Sequence, residues 1–176
     1  MDYTKHINQT DMKVAMNAIT KDSRVMPKQS FADFAAQQDA RNDIQLKIRE
    51  YCLMLCEALE QDFVRDSLRR ADFFLQTDAE YREQRIKDIK AGKNMYKFTI
   101  ESGRKYHKIV METESQSKSV HCFVNMKTGE LHKAASFKAP VKEPRFDLRI
   151  IKEREWVFEN CDWSGGYLYK NAYYTG

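Results

Sequence analysis

Glycine, proline and cysteine are scarce in this chain, which has only six, three and four of them among its 176 residues. No glycine or proline lies between Pro27 and Gly92, so nothing in that stretch is expected to interrupt a helix. The few dispersed cysteines argue against a disulfide framework and predict free thiols in or near the core. No apolar run is long enough for a signal peptide or a membrane span. We therefore expect a cytosolic protein that does not insert into a membrane.

Recognisable catalytic and cofactor motifs are absent as well. The sequence contains no glycine-rich phosphate loop, nucleophile elbow or Cys-x-x-Cys pair. Cys52 and Cys56 are four residues apart, so on a helix both would reach one metal ion, but no histidine pair accompanies them and core packing is the better interpretation. Ser164 lies in a tight turn without a catalytic partner placed by the sequence. The sequence predicts a binding protein that is not an enzyme and uses no cofactor or metal.

Apolar residues recur at helical spacing in the first half of the chain. A short amphipathic helix is predicted to begin at Thr10, and Ser30 can cap another. The next apolar stripe predicts one long helix over about 42–76, roughly 50 Å in length at 1.5 Å per residue. Its members are Ile44, Ile48, Tyr51, Leu55, Leu59 and Phe63. The helix capped by Ser30 either continues into this one or breaks around 39–42.

A further helix is predicted to fold back on the long one. Thr77 and Glu80 form a capping box, and the helix they begin would end at Gly92, where glycine adopts the left-handed conformation at low cost. We therefore expect an antiparallel helical hairpin over 42–92. Because the long helix exceeds the diameter of a small domain, part of it is expected to pack on this hairpin partner or on another chain, which would make a homo-oligomer.

After Gly92 the apolar pattern changes from helical spacing to alternation, which indicates strands. A two-residue turn at Ser102-Gly103 would form a first hairpin and pair Phe98 with His107. His107 would then lie on the apolar face, where a hydrogen-bonded core histidine is the expected role.

A second hairpin is predicted over 119–137. Gly129 falls where a type I turn with a glycine bulge needs a positive φ, and this turn would pair Val124 with His132. In that register His121 and His132 lie on opposite faces of the sheet. They would therefore neither share a metal ion nor act as an acid–base pair.

The last third of the chain gives weaker signals. A proline-marked surface loop is expected over 137–145, and another strand over 146–151. Residues 152–160 are compatible with a short helix or a strand, and the tail is predicted to end as a tyrosine-rich strand. The fold class is therefore α+β, with N-terminal helices including a long helical hairpin, followed by a small, mainly antiparallel β-sheet.

The sequence divides into a helical region over 1–92 and a basic, aromatic-rich β region over 93–176, which either stay separate or form one compact unit. Within 93–152, 13 lysine and arginine residues face only 6 acidic ones, and 13 of the 21 aromatic residues follow residue 92. Cations neutralise phosphates and exposed rings stack on bases, so this pattern favours nucleic-acid binding. The candidate binding residues are Lys133, Phe137, Lys138, Lys142, Arg145 and Arg149.

Several short motifs in this region occur in a fixed order. They are Ser119-Val120-His121-Cys122-Phe123-Val124, Lys127-Thr128-Gly129-Glu130, Lys133-Ala134-Ala135-Ser136, Lys138-Ala139-Pro140, Arg145 and Trp163-Ser164-Gly165-Gly166. Together they resemble a group of small tailed-bacteriophage proteins of unknown function, in which a similar hairpin, a KAASWKAP-like loop and a terminal W(S/T)G segment recur. Phe137 replaces the tryptophan usual in that group. The resemblance covers about 104–169 and implies a phage protein expressed in the cytoplasm of a bacterial host, but it implies no activity.

Three kinds of binding protein fit this sequence. The first engages nucleic acid or a host nucleoprotein through the basic hairpin and loop. The second is an inhibitor or adaptor that binds a host protein directly, as in host takeover or anti-defence. The third is a virion or scaffold component that assembles through the long helix. We expect the first, because the basic excess and the aromatic residues occur in the same segment.

Overall fold

The computed structural model describes residues 30–74 and 78–170 of the chain. The chain divides into two compact units, Met1–Ala40 and Arg41–Gly176. Within the first unit, the described residues are the beginning of the first helix. The short helix predicted from Thr10 lies outside the described residues.

The first helix, α1, runs without a break from Phe31 to Phe74. Ser30 caps it as predicted, because its hydroxyl oxygen accepts a hydrogen bond from the Asp33 amide at 3.1 Å. The break considered around 39–42 does not occur. With no glycine or proline in this stretch, the local sequence supports the uninterrupted helix.

The second helix, α2 (Ala79–Lys90), completes the predicted helical hairpin. Asp72 near the end of α1 and Arg82 in α2 form an ion pair across the connection. The N-cap residue is Asp78, whose carboxylate accepts a hydrogen bond from a backbone amide three residues later at 3.0 Å. This differs from the predicted cap, Thr77, which lies outside the described residues.

Antiparallel strands in the spatial order β1-β2-β3-β4-β5 form the sheet that follows. They are β1 (Lys97–Ser102), β2 (Tyr106–Glu112), β3 (Lys118–Asn125), β4 (Glu130–Lys133) and β5 (Phe146–Asp147). Each strand is thus hydrogen-bonded to the next one in the chain. The predicted α+β fold, with helices first and an antiparallel sheet second, is confirmed.

The register of the first hairpin differs from the predicted one. Phe98 pairs with Met111 and not with His107, because the two turn residues are Arg104-Lys105 rather than Ser102-Gly103. Both registers place the same side chains on the same face, so hydrophobic alternation does not discriminate between them. His107 is buried as expected, and its Nδ1 lies 2.7 Å from the hydroxyl of Ser102.

The second hairpin also closes in a different register. Gly129 adopts the predicted positive φ of 71°. However, Val124 pairs with Leu131 and not with His132, a shift of one residue. The side-chain amide oxygen of Asn125 accepts hydrogen bonds from the backbone amides of Lys127 and Thr128, which stabilises this longer connection.

By itself, that one-residue shift would place His121 and His132 on the same face of the sheet. A β-bulge in β3 prevents this. The pairing of β2 with β3 slips between Ile109 and Val110, which leaves His121 as the extra residue of β3. His121 thereby turns to the core side, where its ring lies 5.5 Å from the ring of Phe98. His132 lies on the other face, so the two histidines are on opposite faces as predicted, but for a different reason.

Gly129 is a position where a side chain should be costly. A Cβ added there would lie 2.9 Å from the Cγ of Arg149, and its φ is one that other residues adopt with strain. We expect Gly129→Ala to lower the free energy of unfolding by about 1–3 kcal/mol, measured by chemical denaturation. Gly103→Ala is the control, because its nearest non-neighbouring atom would be 3.6 Å away and its φ is ordinary. Equal losses in the two variants would contradict this account of the turn.

The C-terminal part of the chain resolves the ambiguity left by the sequence. After the two-residue strand β5, residues Ile151–Asn160 form a helix, α3. The predicted strand over 146–151 is therefore much shorter than expected. A 3-10 turn at Gly166–Leu168 occupies part of the tail, and no tyrosine-rich strand is found up to residue 170, the last described residue.

One hydrophobic core lies between α1 and the sheet within the Arg41–Gly176 unit. Helix α1, the strands, α3 and the 3-10 turn all contribute buried residues to it. Among them are Ile48, Cys52, Leu55, Leu59, Phe98, Ile109, Val124, Leu131, Val157 and Leu168. The helical residues after Arg41 therefore share their core with the β region.

Candidate functional site

The structure distributes the six predicted binding residues over three places. Phe137 and Lys138 lie at the tip of a loop beside β4, and Lys142 follows in the same segment. The other three, Lys133, Arg145 and Arg149, lie at the end of β4 or near β5. These places have different surroundings and do not form a single surface.

The loop that carries Phe137 and Lys138 is held in shape by hydrogen bonds. Ala134 and Pro140 form an isolated β-bridge at its base. The hydroxyl oxygen of Ser136 accepts hydrogen bonds from the backbone amides of Lys138 and Ala139 at 3.3 and 3.2 Å. The loop therefore presents the side chains at its tip in a defined position, and the Phe137 ring is 48% exposed.

Phe137 lies over the face of the sheet that points away from α1. The ammonium group of Lys108 in β2 is 4.3 Å from the Phe137 ring centroid and 5.8 Å from that of Phe123. Both distances fall within the range of cation–π attraction. The amine of Lys108 thus contacts one buried and one half-exposed ring.

The aromatic contacts continue across the same face. The Tyr106 ring is 5.9 Å from that of Phe123 and 5.7 Å from that of His132, both edge to face. The ammonium group of Lys105 lies 5.4 Å from the Tyr106 ring. We call this surface the basic–aromatic face and define it by Lys105, Tyr106, Lys108, Phe123, Phe137 and Lys138.

The lysines of this face, and Lys142 further along the loop segment, keep their positive charge uncompensated. Lys105, Lys108, Lys138 and Lys142 have no ion pair among the residues that the structure describes. Glu143, which lies next to Lys142 in the chain, is paired with Lys170 at 2.6 Å. A surplus of unpaired lysines beside exposed ring surface attracts anions that carry aromatic groups.

Lys133 and Arg145 face the C-terminal segment instead. The ammonium group of Lys133 is 4.8 Å from the Tyr169 ring. Arg145 donates from Nε to the Leu168 carbonyl at 2.8 Å and from Nη1 to the Glu143 carbonyl at 3.3 Å. The guanidinium of Arg145 therefore anchors the tail to the strand region, and two of its five N–H donors are already used.

Arg149 is engaged as well, beside the turn at Gly129. It forms an ion pair with Asp147 at 3.1 Å. The hydrogen bond that the guanidinium donates to the Asp147 carboxylate stabilises its charged form and raises the pKa of Arg149 above its ordinary value. The positive charge of Arg149 is compensated within the chain, which makes it a weaker candidate for binding phosphate than the unpaired lysines.

The cysteines and Ser164 were considered above as metal ligands and as a nucleophile, but their surroundings suit packing and local hydrogen bonding. All four cysteines are buried free thiols, and burial raises the pKa of Cys52, Cys56 and Cys161 to about 12. They are therefore neutral at pH 7. The hydroxyl of Ser164 donates to the Asp162 carboxylate and not to a histidine. Over residues 30–74 and 78–170, no group of three His, Cys, Asp or Glu side chains is placed to hold a metal ion.

A cavity elsewhere in the structure was not anticipated from the sequence. It lies between α1, α2 and the β2–β3 loop, and its aromatic side is formed by Phe63, Tyr96 and Trp163. Arg70 and Arg85 contribute the positive charges. These five residues span a hundred positions in the chain. The sequence marked Phe63 only as part of the apolar stripe and Trp163 only as part of the W(S/T)G segment, and neither signal indicated a cavity.

The arrangement is that of a small α+β protein with a basic–aromatic sheet face, and none of its helices in the described part of the chain is long and apolar enough to cross a membrane. The sequence pattern of a family of unknown function, DUF7717, matches residues 31–170. The chain belongs to this family. No curated protein and no solved structure matches the chain at a significant level.

Proposed function

We propose that this protein binds single-stranded nucleic acid through the basic–aromatic face. The observation that carries the proposal is the position of Lys108 between the rings of Phe123 and Phe137, with Lys138 unpaired beside them. A base can stack on the half-exposed phenylalanine ring, and the phosphates of the strand can pair with the neighbouring unpaired lysines.

Only some of the predicted residues are available for contacts with phosphates, and two further lysines, Lys105 and Lys108, join them. Lys105, Lys108, Lys138 and Lys142 are free to neutralise phosphates, whereas Arg145 and Arg149 are held by groups of the chain itself. Contact with four phosphates of a single strand gives a slope of about −3 in a plot of log affinity against log salt concentration. An unpaired base suits this face better than a duplex, because stacking on Phe137 needs an exposed base surface.

The test is fluorescence anisotropy of a labelled single-stranded oligonucleotide at several salt concentrations. The double variant Lys138→Ala/Lys142→Ala should make the salt slope shallower by about 1.4, because two phosphate contacts are lost. Phe137→Ala should weaken binding by about 1–3 kcal/mol with little change in slope, because it removes stacking and not charge. Lys87→Ala/Lys90→Ala is the matched control, since it removes the same charge from the exposed end of α2.

Equal effects of the two double variants would contradict a localised interface and leave only general charge attraction. A pull-down from bacterial lysate, with and without nuclease, separates the two kinds of partner. Loss of the captured material on nuclease treatment supports nucleic acid or a nucleoprotein. One nuclease-resistant host protein in stoichiometric amount would overturn the proposal and favour the inhibitor or adaptor.

The biological setting is part of the same proposal. The resemblance to small phage proteins supports a role in the cytoplasm of an infected bacterium. Exposed apolar residues on α1, among them Leu46, Leu53 and Met54, are where a homo-oligomer through the long helix would form. Sedimentation of the purified protein tests that oligomer, which also distinguishes the scaffold function from the binding functions.

A further inference from the structure

The cavity between the helical hairpin and the sheet has an aromatic floor. The rings of Phe63 and Tyr96 are stacked with centroids 4.3 Å apart. The Trp163 ring meets both of them edge to face, at 5.3 and 5.8 Å. The cavity is open to solvent on one side and has a volume of about 1040 Å³, which is ample for a small organic ligand.

Trp163 is fixed in this floor by two carboxylates of α1. Its backbone amide donates to Asp62 at 3.0 Å, and its indole Nε1 donates to Asp66 at 2.9 Å. The guanidinium carbon of Arg70 lies 5.2 Å from the Trp163 ring centroid. The tryptophan therefore holds its orientation without any ligand, which lowers the entropy cost of binding a planar group there.

Arg85 supplies the free positive charge of the cavity. It has no hydrogen bond or ion pair among residues 30–74 and 78–170, whereas Arg70 is paired with Asp66 and Arg82 with Asp72. Glu114, the carboxylate on the opposite rim, accepts a hydrogen bond from the Asn94 amide. An unpaired guanidinium at the wall of a partly enclosed site is suited to bidentate recognition of a phosphate.

Hydroxyl groups complete the polar side. Thr113, Ser115 and Ser117 of the β2–β3 loop line the rim opposite the helices. The hydroxyls of Thr113 and Ser115 lie 2.9 Å from each other, so they form a preorganised pair that can also bond a sugar hydroxyl.

We propose that this cavity binds nucleoside phosphates. A simple anion would pair with Arg85 but would not contact the aromatic floor. An uncharged aromatic ligand would contact the floor but leave Arg85 without a partner. A nucleoside phosphate satisfies both, with its base against the aromatic floor and Tyr81, which also lines the cavity and is 59% exposed, and with its phosphate on Arg85. The site shares no residue with the basic–aromatic face and does not depend on the nucleic-acid binding proposed there.

Two sources can deliver this chemistry, namely a free mononucleotide or the phosphorylated end of a nucleic-acid strand. Isothermal titration calorimetry distinguishes them with three probes, AMP, inorganic phosphate and a 5′-phosphorylated oligonucleotide compared with its unphosphorylated form. AMP should bind with a dissociation constant below about 1 mM and inorganic phosphate more weakly. A preference for the phosphorylated oligonucleotide over AMP would assign the site to strand ends.

Variants then locate the binding site. Arg85→Gln should weaken AMP binding about tenfold or more, because it removes the charged partner of the phosphate. Lys87→Gln, an exposed lysine two residues further along α2 that does not line the cavity, is the matched control and should bind normally. Tryptophan fluorescence, measured in a Trp156→Phe background so that it reports Trp163 alone, gives a second readout, because a base stacked on the aromatic floor should change it.

Several results would overturn the proposal. These are the absence of AMP binding at millimolar concentration, equal affinity of the Arg85→Gln and wild-type proteins, or AMP binding that Lys138→Ala/Lys142→Ala abolishes. The last result would show that AMP occupies the basic–aromatic face instead. Circular dichroism of each variant checks that a loss of affinity is not a loss of structure. Tyr81→Ala should also weaken AMP binding, and because Tyr81 is exposed this substitution should leave the fold intact.

Discussion

Replacing Leu55 by alanine is expected to lower the free energy of unfolding by about 3 kcal/mol. Leu55 is 0% exposed and belongs to the core that α1 shares with the sheet. Removing its methyl groups forfeits their transfer free energy and leaves a cavity that rigid neighbours fill only in part. Since small proteins are stable by only about 5–15 kcal/mol, this loss should appear as a large shift of the urea midpoint.

Leu53→Ala is the matched control for this experiment. It makes the same chemical change two residues away on the same helix, but Leu53 is 49% exposed. Its expected cost is below about 0.5 kcal/mol. Similar losses at the two positions would mean that the side of α1 that includes Leu55 is not packed on the sheet, which would contradict the shared core.

Acidification is expected to destabilise the protein through His121. Burial of its imidazole lowers the pKa of His121 to about 4, although the nearby Asp162 acts in the opposite direction. Its Nε2 lies 2.8 Å from the hydroxyl of Tyr167, and the two rings are stacked. The neutral histidine is therefore the form that the folded protein accommodates.

The pH range follows from the direction of this shift. Between about pH 6.5, the ordinary value for histidine, and about pH 4, the unfolded chain binds a proton that the folded chain does not. The stabilising contribution is present in full above pH 6.5 and decreases as the pH falls. The whole difference is roughly 3 kcal/mol. The pKa of His107 is also lowered by burial, so it acts in the same direction.

Urea denaturation at a series of pH values checks this prediction. His121→Gln removes the titrating group and keeps a polar partner for Tyr167, so the stability of this variant should depend less on pH between 6.5 and 4 than that of wild type. Tyr167→Phe should be less stable at every pH but retain the dependence, because His121 remains buried. An unchanged pH dependence in His121→Gln would show that another group is responsible.

The second hairpin shows that the sequence predicts the position of a turn more readily than the register of the strands it joins. Gly129 marks the turn, and its positive φ could be anticipated because glycine adopts it without strain. The register depended in addition on Asn125, whose side chain bonds two amides of the turn, and on the bulge at His121. The two deviations compensate, so the faces of the histidines agree with expectation although the pairing does not.

The candidate binding residues show a similar division between what the sequence predicts and what it does not. Phe137 was expected to be exposed because it begins a proline-marked loop, and it is. Arg145 and Arg149 were grouped with the lysines because they carry the same charge in the same segment. Their bonds to Leu168 and Asp147 separate them from that group, and Lys108, two strands away from the loop, takes their place.

By itself the sequence determined that helices precede two β-hairpins, that a long helix covers the stretch after residue 42, and that positive charge is concentrated in the β region. These properties follow from spacing, capping and composition, which act between residues close together in the chain. Only the tertiary structure decided the registers, the charges that remain unpaired and the cavity beside Trp163. They depend on contacts such as that of Trp163 with Asp62, 101 residues apart, because only folding determines which distant groups meet and satisfy each other.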